Sequence, residues 1–273
     1  LTLLRMSAWL LNSNGHWDEC DKIPPDDRGF RYGMSVFETF LVHDGRLLFV
    51  SEHLARLAGA CRVANFPVPR LDSSGIEGFA KSGVPVPDGS MIRIYVSAGP
   101  GSPFDPVLEP TVYLIADGIV TPAPEKPIRL GNAATILETH PAGVKSGNYW
   151  ARIDALRAAR MAGFDECVVI RNDGAITGCA MANLVVRMDE EWLTPRTEDG
   201  ARPGVTIGWV QRHIPIRHVR LISGDLDRID AAFITNSRIG PVSVGVYAER
   251  ILTIPDALHA LNDEWITQLN SHG

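Results

Sequence analysis

Lysine is scarce in this 273-residue chain. Of its 26 basic residues 22 are arginines, and lysine occurs only at positions 22, 81, 126 and 145. Codon usage is enough to account for the arginine excess. The shortage still restricts the chemistry, because any step that needs an amine nucleophile has four candidates. Cysteine is equally sparse: Cys20, Cys61, Cys167 and Cys179 share no C-x₂-C spacing. That excludes a thiolate zinc site and fits reduced thiols in a cytoplasmic protein. His213 and His218 lack the i,i+4 spacing of a helical metal pair, so no metal is expected. No apolar run approaches the ~18–20 residues of a membrane span. The first eleven residues are interrupted by Arg5 and lack a small-residue cleavage site, so they do not read as a signal peptide. Concentrated positive charge is missing as well. With 26 basic against 32 acidic residues the net charge is −6, and the arginines are scattered. Nucleic acid is therefore not the expected partner, since phosphate backbones need a basic face.

What is present is an ordinary globular composition, 45% hydrophobic and 21% charged, without repeats or low-complexity tracts. One segment stands apart. Gly118-Ile-Val-Thr-Pro-Ala-Pro-Glu-Lys-Pro127 carries three prolines in ten residues and no periodic pattern, as a stiff linker does. It divides a small N-terminal α+β domain, 1–117, from a larger C-terminal domain, 128–273. In the first, strands are expected at 8–11, 36–42, 46–50, 91–98 and 111–116, with hairpin turns at Asn14-Gly15 and Asp44-Gly45. Ser51 is the expected cap of a helix bearing His53, Arg56 and Cys61. In the second, a helix opens at Asn148 with Trp150, Ile153, Leu156 and Ala159 on its apolar face. Strands at 166–171, 183–187 and 231–235, a helix at 204–210 and a C-terminal helix from Asp256 to Leu269 complete the pattern.

Lys145 is the lysine with a chemical setting. It sits in His140-Pro-Ala-Gly-Val-Lys-Ser-Gly-Asn-Tyr-Trp150, at the mouth of a helix and among glycines and aromatics, whereas Lys22, Lys81 and Lys126 lie in loop contexts. A Schiff-base lysine needs partial burial and room for a planar cofactor. From the residues alone, a structural or surface lysine stays open beside that role.

Five blocks in order carry a resemblance. Asp26-Asp-Arg-Gly-Phe-Arg-Tyr-Gly-Met-Ser-Val-Phe-Glu-Thr39, Glu52-His-Leu-Ala-Arg-Leu57, Lys145-Ser-Gly-Asn-Tyr149, Gly204-Val-Thr206 and Thr235-Asn-Ser237 together resemble the class IV, or fold type IV, pyridoxal-phosphate enzymes. That superfamily includes branched-chain and D-amino acid aminotransferases and aminodeoxychorismate lyase. The resemblance implies a two-domain α+β fold, with a small α/β domain and a larger, mixed, β-barrel-like domain flanked by helices. It also implies pyridoxal 5′-phosphate as cofactor, an amino- or keto-acid substrate and a homodimer. By the same resemblance Lys145 is the catalytic Schiff-base lysine, and Arg56 and Ser237 hold the cofactor phosphate. The backbone N–H groups of Val205 and Thr206 would join them, as amides at a helix N-terminus favour an anion. Tyr149 would face the pyridoxal phenolate oxygen, while Tyr32, Phe37 and Arg93 would border the substrate.

Two positions depart from the family pattern. Counting back from Asn183, Gly178 stands where relatives carry the glutamate that keeps the pyridine nitrogen protonated, and Ile207 replaces a basic residue. Thr177 or a water would then serve the nitrogen, or a neutral ring would suffice, or the chemistry would be lost. The leading expectation is an aminotransferase. The alternatives are a lyase of the aminodeoxychorismate type and a non-catalytic relative.

Overall fold

The computed structural model describes residues 7–71, 73, 75–76, 86–117, 124, 127–136 and 143–271. Lys81, Lys126, His140 and most of the expected linker at 118–127 lie outside the described residues. The chain forms two compact units. One comprises Leu1–Pro122 with Val144–Asn148, the other Ala123–Gly143 with Tyr149–Gly273.

The first unit is an antiparallel sheet covered by one long helix. Its elements are β1 (Ser7–Leu11), β2 (Trp17–Glu19), α1 (Arg28–Tyr32), β3 (Ser35–His43), β4 (Arg46–Leu47), α2 (Val50–Val63), β5 (Met91–Ser97) and β6 (Thr111–Asp117), with strands in the order β2-β1-β6-β5-β3-β4. Strand side chains alternate between faces. Val36, Phe40, Val42, Ile92, Ile94, Val96, Val112 and Leu114 therefore point one way and meet Val50, Leu57, Ala60 and Cys61 in one apolar core. The opposite face of β3 and β5 carries Phe37, Thr39, Arg93 and Tyr95. Helix α2 starts at Val50 rather than after a Ser51 cap, so the strand expected through Val50 stops at Leu47. Phe49, in left-handed backbone (φ 54°), turns the chain straight into the helix without a side-chain cap.

The second unit contains β7 (Ile128–Thr135), α3 (Trp150–Met161), β8 (Glu166–Ile170), β9 (Ile176–Cys179), β10 (Asn183–Met188), β11 (Glu191–Pro195), α4 (Val205–Val210), β12 (Ile216–Val219), β13 (Ala231–Asn236), β14 (Gly240–Tyr247), β15 (Arg250–Ile251) and α5 (Asp256–Asn270). Its nine-stranded sheet runs β12-β11-β10-β13-β14-β7-β8-β9, with β15 added to β14. The ladder is parallel at β11–β12, β14–β7 and β7–β8 and antiparallel elsewhere. Leu130, Val168, Ile176, Leu184, Val186, Ile234 and Val244 fill its main core. Helix α3 turns a different face inward from the one expected. Arg152 and Leu156 are buried, whereas Trp150 is 80% exposed and Ile153 sits at the surface.

Candidate active site

In the first unit the Lys145 segment behaves as an addition to β3. The Phe37 N–H donates to the Lys145 carbonyl (2.8 Å), and the Gly147 N–H donates to that of Ser35 (2.9 Å). Lys145, half-buried, is thereby held with its Nζ 4.4 Å from the centroid of the Phe37 ring. That ring stacks on Tyr95 across the β3–β5 ladder, with centroids 5.0 Å apart. Arg93 pairs with Thr39 in the same ladder, so it shares the Phe37 and Tyr95 face. Lys145, Phe37 and Arg93 are thus brought to one side of the sheet. Tyr32 is 44% exposed at the end of α1, with the Arg31 guanidinium 4.8 Å from its ring. Asp27 is the N-cap of α1 and accepts from the Gly29 and Phe30 N–H groups.

Arg56 is set by a residue that the sequence reading passed over. Glu38 lies in the middle of β3, on the apolar side, and is 1% exposed. Its carboxylate accepts from Arg56 Nε (2.6 Å) and Nη2 (2.7 Å), a two-pronged pair that fixes the plane of the guanidinium. His53 Nδ1 is 2.7 Å from the same carboxylate. Burial pushes the Glu38 carboxyl up. The Arg56 charge and the hydrogen bonds from His53 and Arg56 outweigh it and hold the pKa down at about 2. Burial lowers the pKa of His53, against the opposing pull of Glu38, so the imidazole stays neutral. The available signal was parity: a glutamate in phase with the apolar face of a strand has to be paired.

In the second unit the two turns that the sequence offers for a phosphate lie together. The β10–β13 register sets Asn183 opposite Thr235. Asn183 donates through Nδ2 to the Arg202 carbonyl (2.7 Å), and its Oδ1 lies so close to Gly204 that a Cβ there would come within 2.0 Å. Gly204 is the N-cap of α4, which packs against β13. Val205 and Thr206 follow it. The buried hydroxyls of Thr206 and Thr235 have no hydrogen-bond partner among the described residues. Leaving a buried hydroxyl so costs about 1–3 kcal/mol, which an anion with spare acceptor oxygens recovers. With only six residues α4 has a weak macrodipole, so hydroxyls and amides carry the attraction rather than the dipole invoked from sequence. Ser237 stands in the turn after β13, where Asn236 Oδ1 accepts from the N–H groups of Arg238 and Ile239. Tyr149 is the N-cap of α3, with the Arg202 guanidinium 4.8 Å from its ring centroid.

Gly178 has a backbone that favours glycine. Its φ is +123°, and a Cβ would lie 3.1 Å from the Ala182 carbonyl oxygen. A Gly178→Glu substitution is therefore expected to destabilise the protein by about 1–3 kcal/mol, read as a lowered thermal midpoint. Thr177, offered from sequence as a donor to the ring nitrogen, accepts at Oγ1 from Arg152 Nη2 (3.2 Å) and donates to the Val169 carbonyl (3.5 Å). Cys179 is buried, and its thiol is pushed well above the usual range, first by burial and then by Glu166, so it is unreactive.

The family profile described as amino-transferase class IV matches residues 35–245. The chain belongs to that family. It is 31% identical over 189 residues to a chloroplastic D-amino-acid transaminase of Arabidopsis thaliana, covering 65% of this chain and 49% of that one. The chain thus spans about half the length of that relative. With the aminodeoxychorismate lyase of Bacillus subtilis it shares 27% identity over 245 residues, 82% of each chain. A hypothetical aminotransferase from Mycobacterium tuberculosis in its PLP-bound form has the same fold, with TM-score 0.79 and 20% identity over 98% of this chain and 100% of that one. These matches are consistent with the fold type IV architecture of two sheets with flanking helices. Among the described residues no helix is long and apolar enough to cross a membrane.

Proposed function

We propose that this class IV family member is a pyridoxal-phosphate-dependent aminotransferase acting on an amino acid or related amine. The observation that carries the reading is Lys145, half-buried on the Phe37–Arg93 face at the position where the resemblance puts the cofactor lysine. The orphaned hydroxyls of Thr206 and Thr235 fit a phosphate, so the second unit's donor set suits the cofactor. When bound, pyridoxal phosphate supplies the electron sink for charge that develops on the substrate's α-carbon.

The chain's own residues supply the rest. The Lys145 amine is the covalent anchor, and once released it is the base that takes the α-proton and the acid that returns it. Phe37 and Tyr95 give the amine a flat, apolar wall, and Arg93 offers a guanidinium to a substrate carboxylate. Thr206, Thr235, Ser237 and the amides of Val205 and Thr206 receive the phosphate in the second unit. Arg56 keeps the phosphate role that the resemblance implies, with its guanidinium plane held by Glu38. Tyr149 is assigned to the phenolate oxygen. A Gly204→Ala change drives a methyl into Asn183 and is expected to raise the Kd for pyridoxal phosphate about tenfold, the cost of displacing one turn of donors. Titration of the cofactor's absorbance into apoprotein measures it.

Aminotransfer is tested by supplying amino donors with keto-acid acceptors to purified holoenzyme and measuring keto-acid formation. The second reading is a lyase of the aminodeoxychorismate type, favoured by a match that covers 82% of both chains. Pyruvate release from aminodeoxychorismate, with no keto-acid product from the donors, would establish it instead. We further propose a homodimer, from the family resemblance, and a cytoplasmic location, from four cysteines that all remain free thiols in the fold.

A further inference from the structure

Trp265 joins two parts of the second unit that the assigned roles treat separately. It lies buried on α5, and its indole fills the space over Gly240. A Cβ at Gly240 would come within 2.2 Å of Trp265 Nε1, and the backbone there is left-handed (φ +63°). Gly240 closes the turn that carries Ser237, pairing with Asn236 across the β13–β14 hairpin. The same indole meets the ring of Trp209 edge to face, with centroids 5.0 Å apart and planes at 78°. Trp209 belongs to α4 and is buried, three residues after Thr206, so the two lie along one side of that helix. One turn further along α5, Gln268 Oε1 accepts from Trp209 Nε1 (3.3 Å).

We infer that Trp265 is a positioning residue for the cofactor phosphate: its indole sets the Gly204 turn against the Ser237 turn so that both reach one anion.

Each turn is braced from its own side. Asn183 holds the Arg202 carbonyl beside Gly204, and Asn236 Oδ1 holds the Arg238 and Ile239 N–H groups. Helix α4 also packs against β13 and β14, so the turns stay adjacent without α5. What those contacts leave open is the roll of α4. Its six residues make less than two turns, so one large side chain governs that roll. Trp209 is that side chain, and the Trp265 ring and the Gln268 amide oxygen fix it from two directions. The buried hydroxyls of Thr206 and Thr235 have no hydrogen-bond partner among the described residues. They gain from a phosphate only when the roll is right, because hydrogen bonds weaken steeply with misalignment. Docking of α5 itself does not depend on Trp265, since Leu258 and Leu261 bury the earlier turns of the helix.

This inference rests on the cofactor reading above, and its test separates the two. Pyridoxal phosphate and pyridoxal, which lacks the phosphate, are titrated separately into apoprotein and followed by absorbance. The wild-type chain is expected to bind the phosphorylated form more tightly. No such preference overturns the functional reading and this inference with it. In Trp265→Leu the preference is expected to fall about tenfold, through a raised Kd for pyridoxal phosphate alone. Trp265→Phe, which keeps an aromatic ring against Trp209, is expected to lose about threefold. The ³¹P resonance of the bound cofactor should shift in both variants. Leu258→Ala is the structural control, expected to lower the thermal midpoint without changing the preference or the resonance. An unchanged preference in the Trp265 variants, an equal loss of both ligands, or the same loss of preference in Leu258→Ala overturns the inference. If Trp265→Leu does not fold, Trp265→Phe decides alone.

Discussion

Replacing Lys145 with alanine is expected to abolish covalent cofactor capture and to lower turnover by at least about 10³-fold. In the proposed mechanism one side chain supplies two functions, anchoring and proton transfer, and general acid–base catalysis by a positioned group is itself worth about 10²–10⁴-fold. The donors of the second unit remain, so the variant still takes up pyridoxal phosphate, but as the free aldehyde, and borohydride then leaves no cofactor on the chain. Lys145→Arg is expected to fail in the same way, because a guanidinium stays protonated and is not an amine nucleophile. Steady-state kinetics with an amino donor and absorbance before and after reduction measure both effects. Rescue of the covalent adduct in Lys145→Ala by Lys22, Lys81 or Lys126 would contradict the assignment.

The largest effect on stability is expected at Glu38. Its carboxylate is the common partner of Arg56 and His53 on the apolar side of β3. Removing one member of a buried ion pair leaves the other charge uncompensated, at a cost of about 3–5 kcal/mol. Glu38→Gln is therefore expected to lower the thermal midpoint by roughly 6–15 °C. It also frees the Arg56 guanidinium to rotate, weakening phosphate retention. The pH dependence has a definite sign. The folded-state pKa of Glu38 is held at about 2, below its ordinary value of 4.5. The stability it contributes is complete above about pH 4.5 and is lost as the pH falls from there towards 2, about 3 kcal/mol in total. His53 acts in the same direction at higher pH. Its pKa is lowered in the fold from 6.5, so the unfolded chain binds a proton first, and stability begins to decline below about pH 6.5. Denaturation at about pH 2.5, 3.5, 5, 6 and 8 should show that decline, and Glu38→Gln should lose the step below pH 4.5.

Local chemistry made part of this legible beforehand. Asn14-Gly15 and Asp44-Gly45 marked two hairpins, and period-2 patterns located β3, β5 and β6 to within a residue or two, because adjacent antiparallel strands carry their own signals. The pairing of β7 with β14 and β8 depends on partners far along the chain and left no local trace. Helix α3 misled because its apolar spacing places Trp150 and Ile153 on one stripe, yet Arg152 is the residue taken inside. Among the candidate residues, Lys145, Gly204 and Thr206 were readable as motif positions. The parts played by Glu38, Asn183 and Arg152 were not, since they lie in what each residue holds: Glu38 sets Arg56, Asn183 sets the Gly204 turn, and Arg152 brackets Gly178. The Gly178 departure was visible in sequence, but not that a guanidinium is fastened across it.

The most direct measurement is the site of borohydride fixation. The purified chain is incubated with pyridoxal phosphate, reduced, digested and mapped by mass spectrometry. One equivalent of cofactor on the peptide that contains Lys145, with none on Lys22, Lys81 or Lys126, is the predicted result. No fixed cofactor, or label spread over several lysines, would contradict the account.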